Sequence, residues 1–235
     1  MFGCNFLLAI FASSLDVAEP KDLTLPVHKP SLLTPELFLI CCFIWLSLVL
    51  IGKFVRKPFL RPYRFRFHVE TFLIWFFLEF NLLGITIALP TLTSVGIWFI
   101  YILLFITALI FLRMEKRSLS ICFFGEEARE TLVDRIAGLI ATYGSGVLGL
   151  AVIIKIILSH TGIAISQRMT LLGMFLTWII IDIGFLAMVI FMELPFFLEG
   201  FYKWKYPEEY RDWEGKSVEE WYGKKYLKKH KGEFK

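Results

Sequence analysis

The sequence predicts an all-α, multi-pass transmembrane helix bundle of about five spans, N-terminus out and C-terminus in, with a cytoplasmic amphipathic helical tail. Three observations predict it. Of the 235 residues 57% are hydrophobic, and the mean hydropathy is +0.66, against roughly 45–50% apolar residues in soluble domains. The excess falls in long runs, which is the signature of membrane helices. The basic residues cluster on alternate sides of those runs, as the positive-inside rule requires.

Five apolar stretches are long enough to cross a bilayer: Glu36–Gly52, Val69–Leu89, Val95–Leu112, Ile136–Leu158 and Met169–Met192. A helix rises about 1.5 Å per residue, so about 20 residues cover the hydrocarbon core. The segments after the first, third and fifth stretches hold 21 of the 25 basic residues. The opposite side has only Lys21, Lys29, Arg168 and Lys155, and Lys155 is close enough to its helix end to snorkel. The chain therefore divides into an outer-face N-terminal segment and linker (1–35), the bundle (36–192) and a basic, aromatic tail (193–235).

Met1–Leu15 is apolar but short for a span, and no basic residue precedes it as in a signal peptide. It is expected to lie on the outer face or tucked against the bundle. If it did span, the count would be six and the N-terminus would be inside. Asp16–Ser31 follows as a linker containing Pro20, Pro26 and Pro30.

On the basic side, Arg56–Phe67 reads as a loop in which basic and aromatic residues alternate, suited to anionic lipid headgroups. Arg113–Arg135 reads as a second loop, with a short helix from Glu127 into the fourth span. In the tail, Pro207-Glu208-Glu209 is a helix start and Gly215 a stop. Tyr206, Tyr210 and Trp213 share one face of that helix. Ser217-Val-Glu-Glu220 fits a capping box. The helix it opens puts Val218, Trp221, Tyr222 and Tyr226 on one side and mostly Lys224, Lys225, Lys228 and Lys229 on the other. Trp213 and this basic amphipathic helix are expected at the membrane surface or against an acidic partner.

Charges at mid-membrane cost roughly 2.5–3.5 kcal/mol each on insertion scales, so they usually have a reason. Glu79 and Asp182 both lie some ~14 Å from the basic side by helix rise. Asn81 is near Glu79, and Thr142 and Ser145 reach similar depth on the fourth stretch. A polar centre shared among these residues could hold an ion, a proton or a ligand. Alternatively, each is neutral and bonds a neighbouring helix. Ala141, Ser145 and Gly149 recur every fourth residue, a small-residue face for close helix packing. Gly144–Gly149 matches G-x-G-x-x-G in letters only, because it lies inside an apolar helix with no strand before it.

No catalytic constellation and no cofactor signature is present. Cys4, Cys41, Cys42 and Cys122 form no C-x-x-C pair and read as free thiols, and His28, His68, His160 and His230 show no metal spacing. A net charge of +4 is too small to point to nucleic acid. The expected partners are membrane lipids, through anionic headgroups at the inner face, and other membrane protein subunits.

The segment Arg113-Met-Glu-Lys-Arg-Ser-Leu-Ser120 resembles a segment of the CAAX-protease and bacteriocin-processing (Abi) membrane family, where a basic stretch of this kind precedes a loop and a further span. Activity in that family depends on a later E-E-x-x-x-R motif and on histidine motifs in later spans. Here the corresponding region, Met192–Gly200, lacks the paired Glu and the Arg, and no histidine-bearing span follows. Glu126-Glu127 has Thr131 where the Arg would be required. The resemblance implies a truncated, non-catalytic relative such as an immunity or accessory protein, and it assigns no catalytic residue.

The reading is thus a non-enzymatic accessory, scaffold or immunity-type protein of the cell membrane. The alternatives are an ion- or proton-coupled transport component using Glu79 and Asp182, and a membrane enzyme acting on a lipid or lipidated peptide.

Overall fold

The computed structural model describes residues 2–19, 23, 26–52, 57–124 and 167–229. All regular structure among them is helical: α1 (Phe2–Val17), α2 (Pro35–Gly52), a 3₁₀ turn (Pro58–Leu60), α3 (Arg61–Phe124), α4 (Gln167–Met188), a π turn (Val189–Glu193), α5 (Leu194–Lys205), α6 (Pro207–Trp213), α7 (Val218–Tyr222) and α8 (Lys224–Lys229). Three stretches, 35–52, 58–121 and 169–205, are long and apolar enough to cross a membrane. The fourth predicted span lies outside the described residues, and with it Ala141, Thr142, Ser145 and Gly149. The chain forms two compact units, Met1–Trp98 with Met192–Lys235, and Phe99–Phe191. The tail lies in the first of these units.

α3 covers 64 residues, which at about 1.5 Å per residue is three times the thickness of a hydrocarbon core. Two features interrupt it near its middle. Pro90 sits inside the helix, and Thr93 leaves helical geometry at φ 59°, ψ 167°. A positive φ on a β-branched residue marks a true break rather than a gentle bend. It falls where the sequence separates the second and third apolar stretches.

Pro90 also has no N–H to give the carbonyl of Thr86 one turn back. That carbonyl instead accepts from the backbone N–H of His28 at 2.9 Å, and the Thr86 hydroxyl accepts from Leu32 N–H at 3.1 Å. The linker is thereby fixed across α3 by a hydrogen bond that the proline made available. Asp16 Oδ1 closes the other side by accepting from Ser31 N–H at 2.7 Å.

α1 packs along α2 and α3, not across their ends. Its first turn meets their middle: the Phe2 ring lies 5.1 Å from Trp45, 5.8 Å from Phe72 and 6.0 Å from Trp75. Its last turns, through Ala12 and Leu15, share a core with Leu33 and Leu83. Going forward along α1 thus means going forward along α3, and the two run in the same direction. α2 runs the opposite way, with Leu37 near that core and Gly52 beside His68. α1 thus lies alongside α2 over its length.

Three predicted boundaries move. The basic and aromatic stretch from Arg61 is helical, not a loop, because Pro58 and Pro62 start the helix early. The helix after Leu112 continues to Phe124 instead of opening into a loop at Arg113. The helix through Asp182 runs on past Met192 into α5 by way of a π turn, with Pro195 in the first turn of α5.

Candidate functional site

Two polar centres stand out, both within the first unit. One lies among α1, α2 and α3. Glu79 is fully buried, and its Oε1 accepts from the Trp75 indole N–H at 2.6 Å. Its Oε2 has no partner among the described residues. Asn5, the only strongly polar side chain in the first turns of α1, is also fully buried, and neither amide atom has a partner among the described residues. Phe2 lies against Trp75, Asn5 is one turn beyond Phe2, and Glu79 is one turn beyond Trp75. Because α1 and α3 run in the same direction, the two orphaned groups stand at one level. Ala9 and Ala12 are buried further along α1. Each buried polar atom left unpaired costs about 1–3 kcal/mol, so this is a costly place for polar side chains.

The other predicted members of the intramembrane centre are placed individually. Asn81 is half-buried and donates from Nδ2 to the carbonyl of Phe77 at 3.0 Å, a bond within its own helix. Asp182, in the second unit, is buried one turn beyond Trp178, whose ring meets Tyr101 at 6.3 Å.

The second centre joins the start of α3 to α5 and the tail. Arg66 holds Glu193 in a two-pronged pair, Nε to Oε2 at 2.6 Å and Nη2 to Oε1 at 2.7 Å. Its guanidinium also lies 4.4 Å over the Phe196 ring. The π turn brings Glu193 to this position, and the planar guanidinium fork matches the carboxylate. Arg66 belongs to the stretch whose sequence suits anionic lipid headgroups. One helical turn back, Tyr63 packs on Phe196 at 4.5 Å and covers Gly200, where a Cβ would come within 2.5 Å of the ring. The basic and aromatic alternation of 61–67 is therefore used to grip α5.

The tail folds back onto the same end. Lys203 bridges Glu199 at 2.8 Å and Glu214 at 2.7 Å, and Lys216 also pairs with Glu214. Hydrogen bonds from Lys203 and Lys216 hold the Glu214 carboxyl below the usual carboxylate range. The predicted capping box is formed: Ser217 Oγ accepts from Glu220 N–H at 3.3 Å, and Ser217 N–H donates to Glu220 Oε2 at 3.0 Å. The Ser217 backbone and hydroxyl bonds lower the Glu220 pKa. The expected single amphipathic helix is broken, because Gly223 takes φ 79°, a conformation costly for other residues. This break turns Trp221 and Tyr222 inward. The Trp221 ring stacks on Phe59 at 4.8 Å with 10° between planes, and the Tyr222 hydroxyl donates to Glu208 at 2.5 Å. Both rings are buried. A cleft of about 400 Å³ remains between Phe59, Tyr63, Lys203, Lys216 and Trp221.

The outward-facing aromatics are others. Trp213 is 81% exposed and Trp204 54%, with Phe201 and Tyr202 also exposed. Lys205, Lys224 and Lys228 are exposed. The side chains of Lys225 and Lys229 lie outside the described residues. Groups of three or more His, Cys, Asp or Glu able to hold a metal are absent among the described residues. No family model, no curated protein and no solved structure matches the chain.

Proposed function

We propose that the chain is an integral protein of the cell membrane that acts as an accessory or scaffold subunit, through helix packing in the bilayer and a docked tail on the cytoplasmic side. Its three long apolar helices support the membrane reading. The break at Thr93 supports two crossings within α3, and the asymmetry of Lys and Arg supports a cytoplasmic tail. On that orientation α1, antiparallel to α2, points its N-terminus toward the cytoplasmic side, which favours counting it as a further membrane helix.

The observation that carries the accessory reading is the rigid platform at the end of α5. Lys203, Glu214 and the Phe59–Trp221 stack lock the tail down, while Phe201, Tyr202, Trp204 and Trp213 face outward beside Lys205. Aromatic side chains mixed with lysine suit the headgroup zone and the flank of a neighbouring subunit. The test is isolation in a mild detergent of wild type and of Trp204→Ala/Trp213→Ala. A stoichiometric membrane partner present with the first and missing from the second is expected. Transport or turnover by the purified protein alone in proteoliposomes would overturn the reading.

A second reading, an ion- or proton-coupled transport component, draws on the unsatisfied buried oxygen of Glu79. It requires that Glu79→Gln with Asp182→Asn abolish flux while folded yield stays unchanged.

A further inference from the structure

We infer that Asn5 and Glu79 together form a site for a single monovalent cation, a proton or Na⁺, built by α1 against α3. The inference is independent of the accessory reading and stands whether or not a partner subunit exists. Three polar atoms carry it: Asn5 Oδ1, Asn5 Nδ2 and Glu79 Oε2. All three are inaccessible and lack a partner among the described residues. They come from two helices whose packing, Phe2 on Trp75 below and Ala12 with Leu83 above, sets them at one height.

Neither residue satisfies the other directly, since both are unbonded at these atoms, so a bridging species fits the arrangement better than a mutual hydrogen bond. The charge needed is positive. Trp75 already donates to Oε1, which leaves Glu79 Oε2 and the Asn5 amide oxygen buried without a partner among the described residues. Two oxygen ligands suit a hard cation or a shared proton, and the amide N–H₂ can hold an accompanying water. Among the described residues, α1, α2 and the two turns of α3 on either side of Glu79 hold no lysine or arginine. On α2 the nearest titratable group is Cys41. On α1 the titratable groups are Cys4, which is exposed, and Asp16 at the far end, which bonds the linker. On α3, Glu70 and His68 lie more than two turns away. The N-terminal helix then supplies a ligand rather than only filling space, and Asn5 is a binding residue that neither Asp182 nor Asn81 replaces.

The test uses the full-length protein in nanodiscs of uncharged lipid. Melting temperature and tryptophan emission are followed as Na⁺ replaces a large organic cation at constant ionic strength. A second series lowers the pH without Na⁺. The informative signal is the part of each response that Glu79→Gln removes, because Trp75 reports directly on that carboxylate. A saturable rise in melting temperature is expected in one series, lost in Glu79→Gln and in Asn5→Leu. Dependence on Na⁺ with competition by acid identifies Na⁺, and dependence on pH alone identifies a proton. If Asn5→Leu does not fold, Asn5→Ala makes the same comparison. No saturable response in either series, or a full response surviving loss of the Asn5 amide, would overturn the inference.

Discussion

Replacing Trp221 by alanine should release the tail from the start of α3 while leaving the apolar helices folded. The ring is 2% exposed and stacked on Phe59. Truncating a buried aromatic to alanine costs about 3–5 kcal/mol, of which the stacked pair accounts for roughly 0.5–1.5 kcal/mol. One contribution runs the other way. The Trp221 indole N–H is buried without a partner among the described residues, and removing an unpaired donor returns about 1 kcal/mol or more. The net local loss is therefore about 2–4 kcal/mol. Hydrogen exchange over 207–229 should accelerate roughly 30- to 1,000-fold, since each 1.4 kcal/mol is about tenfold. Trp221→Phe separates the two contributions, because it keeps a stacked ring and drops the orphaned donor. It should stay within about 1 kcal/mol of wild type. Unchanged exchange in Trp221→Ala, or damage from phenylalanine equal to that from alanine, would refute the reasoning.

Two further outcomes are expected. Gly200→Ala should destabilise the protein by about 1–3 kcal/mol through overpacking, since its Cβ would stand 2.5 Å from the Tyr63 ring; denaturant titration in detergent, with Tyr63→Ala as the relieving partner, checks this. Tail docking should weaken in acid. The folded Glu214 carboxyl is held below its ordinary value by Lys203 and Lys216. Its contribution is complete above the unfolded pKa and is lost as pH falls through the folded one. Exchange measured from pH 7 downward should therefore show the tail loosening only below the ordinary carboxylate range, and Glu214→Gln should remove that step.

Much of the fold was legible because its signals are local. The long apolar runs, the start at Pro207, the stop at Gly215 and the box Ser217–Glu220 each depend on residues within one or two turns of each other. The break between the second and third runs was legible too, since Pro90 and the polar Thr-Leu-Thr-Ser that follows cannot continue an apolar helix comfortably. Gly223 is equally visible, but the capping box before it and the lysine run after it are local signals of helix on both sides. Asn5 is visible as the lone amide in an apolar run, but the run itself does not tell which residues of other helices it is buried beside.

Sequence alone therefore determined the helical class, the apolar lengths, the one-sided distribution of charge and the isolated acids at mid-run. These follow from hydropathy, helix rise and the cost of burying charge, all of which act along the chain. Only the tertiary structure decided what each polar group meets. It paired Arg66 with Glu193, buried Trp221 and Tyr222 while exposing Trp204 and Trp213, and set Asn5 level with Glu79. Such pairings depend on the relative direction and register of helices distant in sequence. A one-dimensional pattern does not encode them, because the same apolar face can meet any other apolar face in a bilayer at similar cost, and close packing with satisfied polar bonds chooses among them.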